Sequence, residues 1–172
     1  MAQPTSPFVV NVSDLVARPG SQRRLHVSAP ADFGVELSRL APGRRVEAEL
    51  LFESLLEGVL VTGEVGFVLR HTCNRCLREW EDLGLVPVVQ LYGPEPDEDG
   101  YRLEPGDLID LEQLFRDEIT LSFPLAPVCR PECRGLCPSC GIDLNEAPSH
   151  QHEEEPDSPF AVLGQLFEHE EK

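Results

Sequence analysis

No run of apolar residues in this 172-residue chain approaches the roughly 20 needed to cross a bilayer. The opening MAQPTSPFVV has neither a basic start nor a signal-like apolar core, so a cytoplasmic protein with no membrane attachment is expected. The HExxH, GxGxxG and GxSxG motifs are missing, as is a P-loop. Carboxylates occur in runs that isolate no acid and base pair, so the chain reads as a non-enzyme without a small-molecule substrate. Basic residues are also scarce, with 14 Lys and Arg against 31 Asp and Glu and a formal net charge of -17. Residues 1–72 carry 8 acids and 7 bases, so residues 73–172 hold 23 acids and 7 bases, a net of -16. Such a surface repels RNA and draws in basic proteins, although solubility alone is the blander account of an acidic run. Arg18, Arg23, Arg24, Arg39, Arg44 and Arg45 lie in the near-neutral first part, where any RNA contact is to be sought. Scattered surface arginines are the plainer account of them.

The 16 prolines and 13 glycines favour strands and turns over long helices. Val46, Ala48, Leu50 and Phe52 alternate with Glu47, Glu49 and Glu53, the pattern of a half-buried strand. A second strand places Val59, Val61, Val65, Phe67 and Leu69 on one face. A third is read with Leu83, Leu85, Val89 and Leu91 inward, and its Pro87 argues for an edge or a bulge. Phe8 to Val12 and Arg23 to Val27 add short strands. GPEPDEDGYRLEPGD is a loop by composition. Asp110 with Gln113 reads as a capping box for a helix that buries Leu111, Leu114, Phe115 and Ile119 and ends before Pro124. Ser158 and Pro159 open a second short helix with Phe160, Leu163 and Phe167 on one side. The expected fold is α+β: an antiparallel sheet of about five strands covered by a helix over residues 1–127, and a cysteine-rich, zinc-binding C-terminal appendage over 128–172.

The chemistry is concentrated in six cysteines. In a reducing cytoplasm clustered cysteines bind metal or do redox work more often than they form cross-links. Cys73-Asn-Arg-Cys76 falls at the turn between the second and third strands, and CRPECRGLCPSCG supplies Cys129, Cys133, Cys137 and Cys140. A C-x-x-C turn lets two sulfurs converge on one ion, and Gly141 permits the tight turn after Cys140. With His150 and His152 the chain offers eight ligands, enough for two zinc tetrahedra. The favoured pairing joins Cys73 and Cys76 to Cys129 and Cys133, and Cys137 and Cys140 to His150 and His152. The alternative is a compact set of Cys129, Cys133, Cys137 and Cys140, and spacing does not separate the two. Buried inert thiols and idle solvated histidines are the bland accounts; His26 reads as structural and His169 as solvated. A zinc-thiol redox sensor or regulatory module is the competing functional class.

The C-x-R-C hairpin, IDLEQLFRDEITLSFPLAPVC, CRGLCPSCG followed by DLN, and the final DSPFAVLGQL together resemble the YceD-like family of large ribosomal RNA subunit accumulation proteins. The resemblance spans most of the chain. It implies a role in accumulation or processing of large-subunit ribosomal RNA. It also implies a partner that is a basic ribosomal protein or a large-subunit assembly intermediate, with ribosomal RNA contacted weakly or indirectly. Family members often carry cysteine where this chain has His150 and His152, and some lack the GLCPSCG pair.

Overall fold

The structure is a computed structural model that describes residues 6–16, 18–96 and 100–152. It forms two compact units, Met1–Cys133 and Arg134–Lys172. The division falls after Cys133, where composition had drawn it after residue 127, so Cys129 and Cys133 belong to the sheet-bearing unit. The expected helix at residues 158–167, the acidic run Glu153 to Glu155 and His169 lie outside the described residues.

In chain order the first unit contains β1 (Val9–Asn11), α1 (Ser13–Val16), β2 (Gln22–Pro30), β3 (Ser38–Leu40), β4 (Arg45–Ser54), β5 (Val59–Thr72), β6 (Glu79–Gly93), β7 (Tyr101–Arg102), β8 (Leu108–Asp110) and α2 (Glu112–Leu121). Six strands make one sheet in the order β2-β4-β5-β6-β7, with β3 also paired to β5, and β1 with β8 forms a separate two-stranded ribbon. Pairing is antiparallel except between β6 and β7. The sheet therefore exceeds the expected five strands, and the segment from Phe8 joins the ribbon rather than the main sheet. β3 escapes a pattern search because three residues are too few to establish a period. β7 lies inside the segment that composition marked as a loop, and β8 follows directly on it.

Alternation decides which side of each long strand is buried, because successive side chains point to opposite faces. Val46, Ala48, Leu50 and Phe52 of β4 and Val59, Val61, Val65, Phe67 and Leu69 of β5 are buried as expected. β6 differs. Val86, Val88 and Tyr92 face the core, while Leu83, Leu85 and Val89 are 82%, 63% and 69% exposed. The strand is apolar on both faces, so hydrophobicity alone does not reveal its inward side. Among the described residues Pro87 lies where β6 is a sheet margin, since β6 pairs with β7 at Tyr92 and Gly93 only.

Leu111, Leu114, Phe115 and Ile119 are buried in the core, and Phe115 meets Phe8 edge-on with ring centroids 5.3 Å apart. Each such burial contributes about 1.5–3 kcal/mol, so α2 is held mainly by this face. The capping box does not form. Leu111 takes the N-cap position, Asp110 Oδ1 accepts the Glu112 N–H at 2.9 Å, and Gln113 bonds Asp117 instead.

Candidate metal centres

The hairpin between β5 and β6 turns through Cys73-Asn-Arg-Cys76-Leu-Arg78. The Leu77 N–H donates to the Cys73 carbonyl at 2.9 Å, and the Cys73 N–H donates to the Arg78 carbonyl at 2.9 Å. The second unit repeats this frame residue for residue. Gly141 N–H donates to the Cys137 carbonyl and Cys137 N–H to the Ile142 carbonyl, each at 2.8 Å. The residue after the second cysteine takes a left-handed backbone in both turns, with φ of 59° at Leu77 and 73° at Gly141. Glycine suits that position, and leucine occupies it at a steric cost.

The turn brings each pair of sulfurs to one side, and the following chain supplies the second pair. Asn74 N–H donates to the Pro127 carbonyl at 2.9 Å, and Arg75 Nη1 donates to the Cys133 carbonyl at 2.9 Å. These bonds hold residues 127–133 against the hairpin tip. Cys73 Sγ lies 3.8 Å from Cys133 Sγ, and Cys76 Sγ lies 3.7 Å from Cys129 Sγ. An ion about 2.3 Å from four sulfurs sets tetrahedral edges of about 3.8 Å. The four thiols therefore stand where one tetrahedral ion needs them, and three of the four residues are buried.

In the second unit Cys137 Sγ is 3.2 Å from His152 Nε2 and Cys140 Sγ is 3.2 Å from His150 Nε2. The two Nε2 atoms are 3.0 Å apart. The intervening DLN segment makes the return path. Asn145 Oδ1 accepts the Arg134 N–H at 2.9 Å, Asp143 Oδ1 accepts the Asn145 N–H at 2.8 Å, and Leu144 N–H donates to the Gly135 carbonyl at 2.9 Å. All eight sequence-derived candidates thus converge in two sets of four, each able to hold a metal ion. Cys129 and Cys133 group with the hairpin pair, and Cys137 and Cys140 with the two histidines.

The backbone also prepares one sulfur in each set. Burial raises the Cys73 thiol, but N–H donors from Cys129, Cys76 and Arg75 outweigh it and bring it down to about 6. Backbone N–H groups of Cys140 and Ser139 lower Cys137 to about 6 against the opposing effect of burial. Burial, together with the neighbouring thiols, pushes Cys129 up to about 12. Each set therefore contains one thiol whose surroundings favour the thiolate, the form that ligates a metal.

Sequence reasoning assigned no role to Arg75 or Asn145, whose bonds position ligands that lie elsewhere in the chain. Their place inside C-x-R-C and directly after the second knuckle was the available signal. His26 is exposed on β2, 3.9 Å from Glu49, and belongs to neither set.

A family model described as large ribosomal RNA subunit accumulation protein YceD matches residues 61–167. An uncharacterized protein of Mycobacterium tuberculosis H37Rv is 39% identical over 160 residues, covering 87% of this chain and 76% of its own length. A Mycobacterium leprae protein, also described as uncharacterized, is 34% identical over 159 residues, covering 86% and 72%. The chloroplast large ribosomal RNA subunit accumulation protein YCED homolog 1 of Arabidopsis thaliana is 33% identical over 60 residues, 35% of this chain and 19% of the plant protein. No solved structure matches.

Proposed function

The chain belongs to the YceD family of large ribosomal RNA subunit accumulation proteins, and from that premise we propose that it is a non-enzymatic ribosome biogenesis factor. It promotes accumulation or processing of large-subunit ribosomal RNA in the cytoplasm. The observation that carries this reading is the reach of the family match, residues 61–167, which takes in both ligand sets. We assign zinc to both sets, because four thiolates or two thiolates with two imidazoles at tetrahedral spacing are the donor sets this ion prefers. Fully ligated ions of this kind leave no position for substrate or water, which suits a structural role.

The net charge of -17 favours a basic ribosomal protein or a protein-coated assembly intermediate over bare RNA as the direct partner. RNA contact is then weak or indirect. A second reading, a zinc-thiol regulatory module, draws on one observation: Cys140 is exposed beside the lowered thiol of Cys137. The first reading is tested in cells by deleting the gene and measuring large-subunit against small-subunit ribosomal RNA. The ratio should fall on deletion and recover with the intact chain, but not with Cys73→Ser. An unchanged ratio after deletion would remove the proposal.

A further inference from the structure

The outer face of the main sheet carries an apolar stripe against an acidic one. Leu83, Leu85 and Val89 of β6 stand exposed there at 82%, 63% and 69%. Their inward neighbours Val86 and Val88 are buried, so β6 is apolar on both sides. A contiguous exposed apolar stripe of this kind marks a surface for a partner. Among the described residues no strand pairs β6 between Glu79 and Leu91 on the side away from β5, which leaves a margin beside the stripe.

The register fixes what lies next to the stripe. Leu85 stands opposite Gly66, and Gly66 opposite Glu47. One pair along, Pro87 stands opposite Glu64, which is directly opposite Glu49. Like charges directly opposed across strands are destabilising. Glu47, Glu49 and Glu64 are all exposed, and the ring of His26 lies 3.9 Å from Glu49. Gly66 adds no side chain to this face, so a cleft of about 550 Å³ opens there, walled by Glu47, Val68 and Leu83. Arg44 and Arg45 also line it. They are already engaged, Arg44 with Glu81 at 3.7 Å and Arg45 with Ser28.

We propose that this face, floored by Gly66 and bounded by Leu83, Leu85, Val89, Glu47, Glu49 and Glu64, docks an extended cationic protein segment that carries apolar side chains. Apolar groups of the segment cover the β6 stripe, and its lysine or arginine side chains relieve the opposed carboxylates. RNA fits poorly because phosphate would meet three carboxylates. A second copy would set acid against acid. The inference rests on the family reading only in naming a basic protein of the large subunit as the source of the segment.

Gly66→Val is the decisive variant. A Cβ at Gly66 would meet nothing closer than 3.7 Å, so a side chain can start there without a clash, and valine is expected to firm the strand while it fills the cleft. The probe is a twelve-residue peptide of alternating lysine and valine, added to the zinc-loaded chain while amide chemical shifts are followed. Shifts are expected at residues 62–68 and 83–89, with affinity about tenfold lower for Gly66→Val and for the Leu85→Ser, Val89→Ser pair. A lysine and glycine peptide of equal charge should bind more weakly than the valine peptide. Equal affinities across the variants, equal affinities for the two peptides, or shifts confined to other acidic segments would overturn the proposal. In the deletion strain, Gly66→Val should fail to restore the ribosomal RNA ratio. Full restoration by Gly66→Val would defeat the docking face and leave the biogenesis reading standing, whereas an unaltered ratio on deletion itself would defeat that reading.

Discussion

Leu77 and Gly141 occupy the same place in two equivalent turns, and only one is the residue the backbone prefers. With φ of 59° and 59% exposure, Leu77 pays the left-handed cost without compensating burial. Leu77→Gly should therefore raise stability, by up to about 1 kcal/mol after the extra chain entropy of glycine is subtracted. Gly141 has φ of 73° and no atom near an added Cβ, so Gly141→Ala should lose about 1 kcal/mol through backbone strain alone. Denaturant titration of the metal-loaded chain, followed by amide signals local to each turn, checks both signs. A destabilised Leu77→Gly would mean that the leucine side chain holds contacts its exposure does not suggest. This asymmetry also explains what could be read at the residue scale. The C-x-x-C spacing announces both turns, and Gly141 also announces the left-handed residue of its turn, which Leu77 does not.

The elements were legible in proportion to how one-sided their surroundings are. β4 alternates glutamate with apolar residues, so its inward face follows from the letters. β6 is apolar on both sides, and its phase was read one residue out because no polar face opposed the core. β3 has too few residues for a period, and it is held by a contact that sequence does not announce. His71 on β5 is 4% exposed, and its Nδ1 lies 2.8 Å from Ser38 Oγ on β3. Burial holds this imidazole below its ordinary 6.5, outweighing the opposing attraction of Asp82. A histidine lowered on folding leaves stability intact above the unfolded value. As pH falls below 6.5 the unfolded chain takes up the proton first, and stability declines. Unfolding free energies measured on both sides of pH 6.5 should show this decline, and His71→Gln should show less of it. The difference between the two proteins cancels any acid release of metal common to both. Parallel profiles would assign the acid sensitivity to the metal ligands rather than to His71.

The two units are expected to depend on metal to different degrees. The first buries a continuous apolar core from Phe8 to Ile119, which is ample to hold a sheet without an ion. Among the described residues of the second unit, Cys137 is the one buried side chain of hydrophobic type. Described residues so poor in core would gain from a cross-link, and the zinc proposed above would supply about 10–16 kcal/mol at neutral pH. Native mass spectrometry is therefore expected to find two zinc ions per chain, one lost with Cys73→Ser and the other with Cys137→Ser. Chelation should abolish hydrogen-exchange protection at the amides of Cys137, Gly141 and Leu144, whose bonds depend on the second knuckle and its return loop. In the first unit it should loosen the Asn74 amide and residues 127–133 while the paired amides of β4 and β5 stay protected. Mild peroxide separates the two functional readings on the same observables. A structural assembly factor keeps both ions, whereas reversible loss of the second ion alone would make exposed Cys140 the entry point of a redox switch. Persistent protection of Gly141 after complete metal removal would show instead that the DLN loop folds by its own hydrogen bonds, and the second ion would then be dispensable for structure.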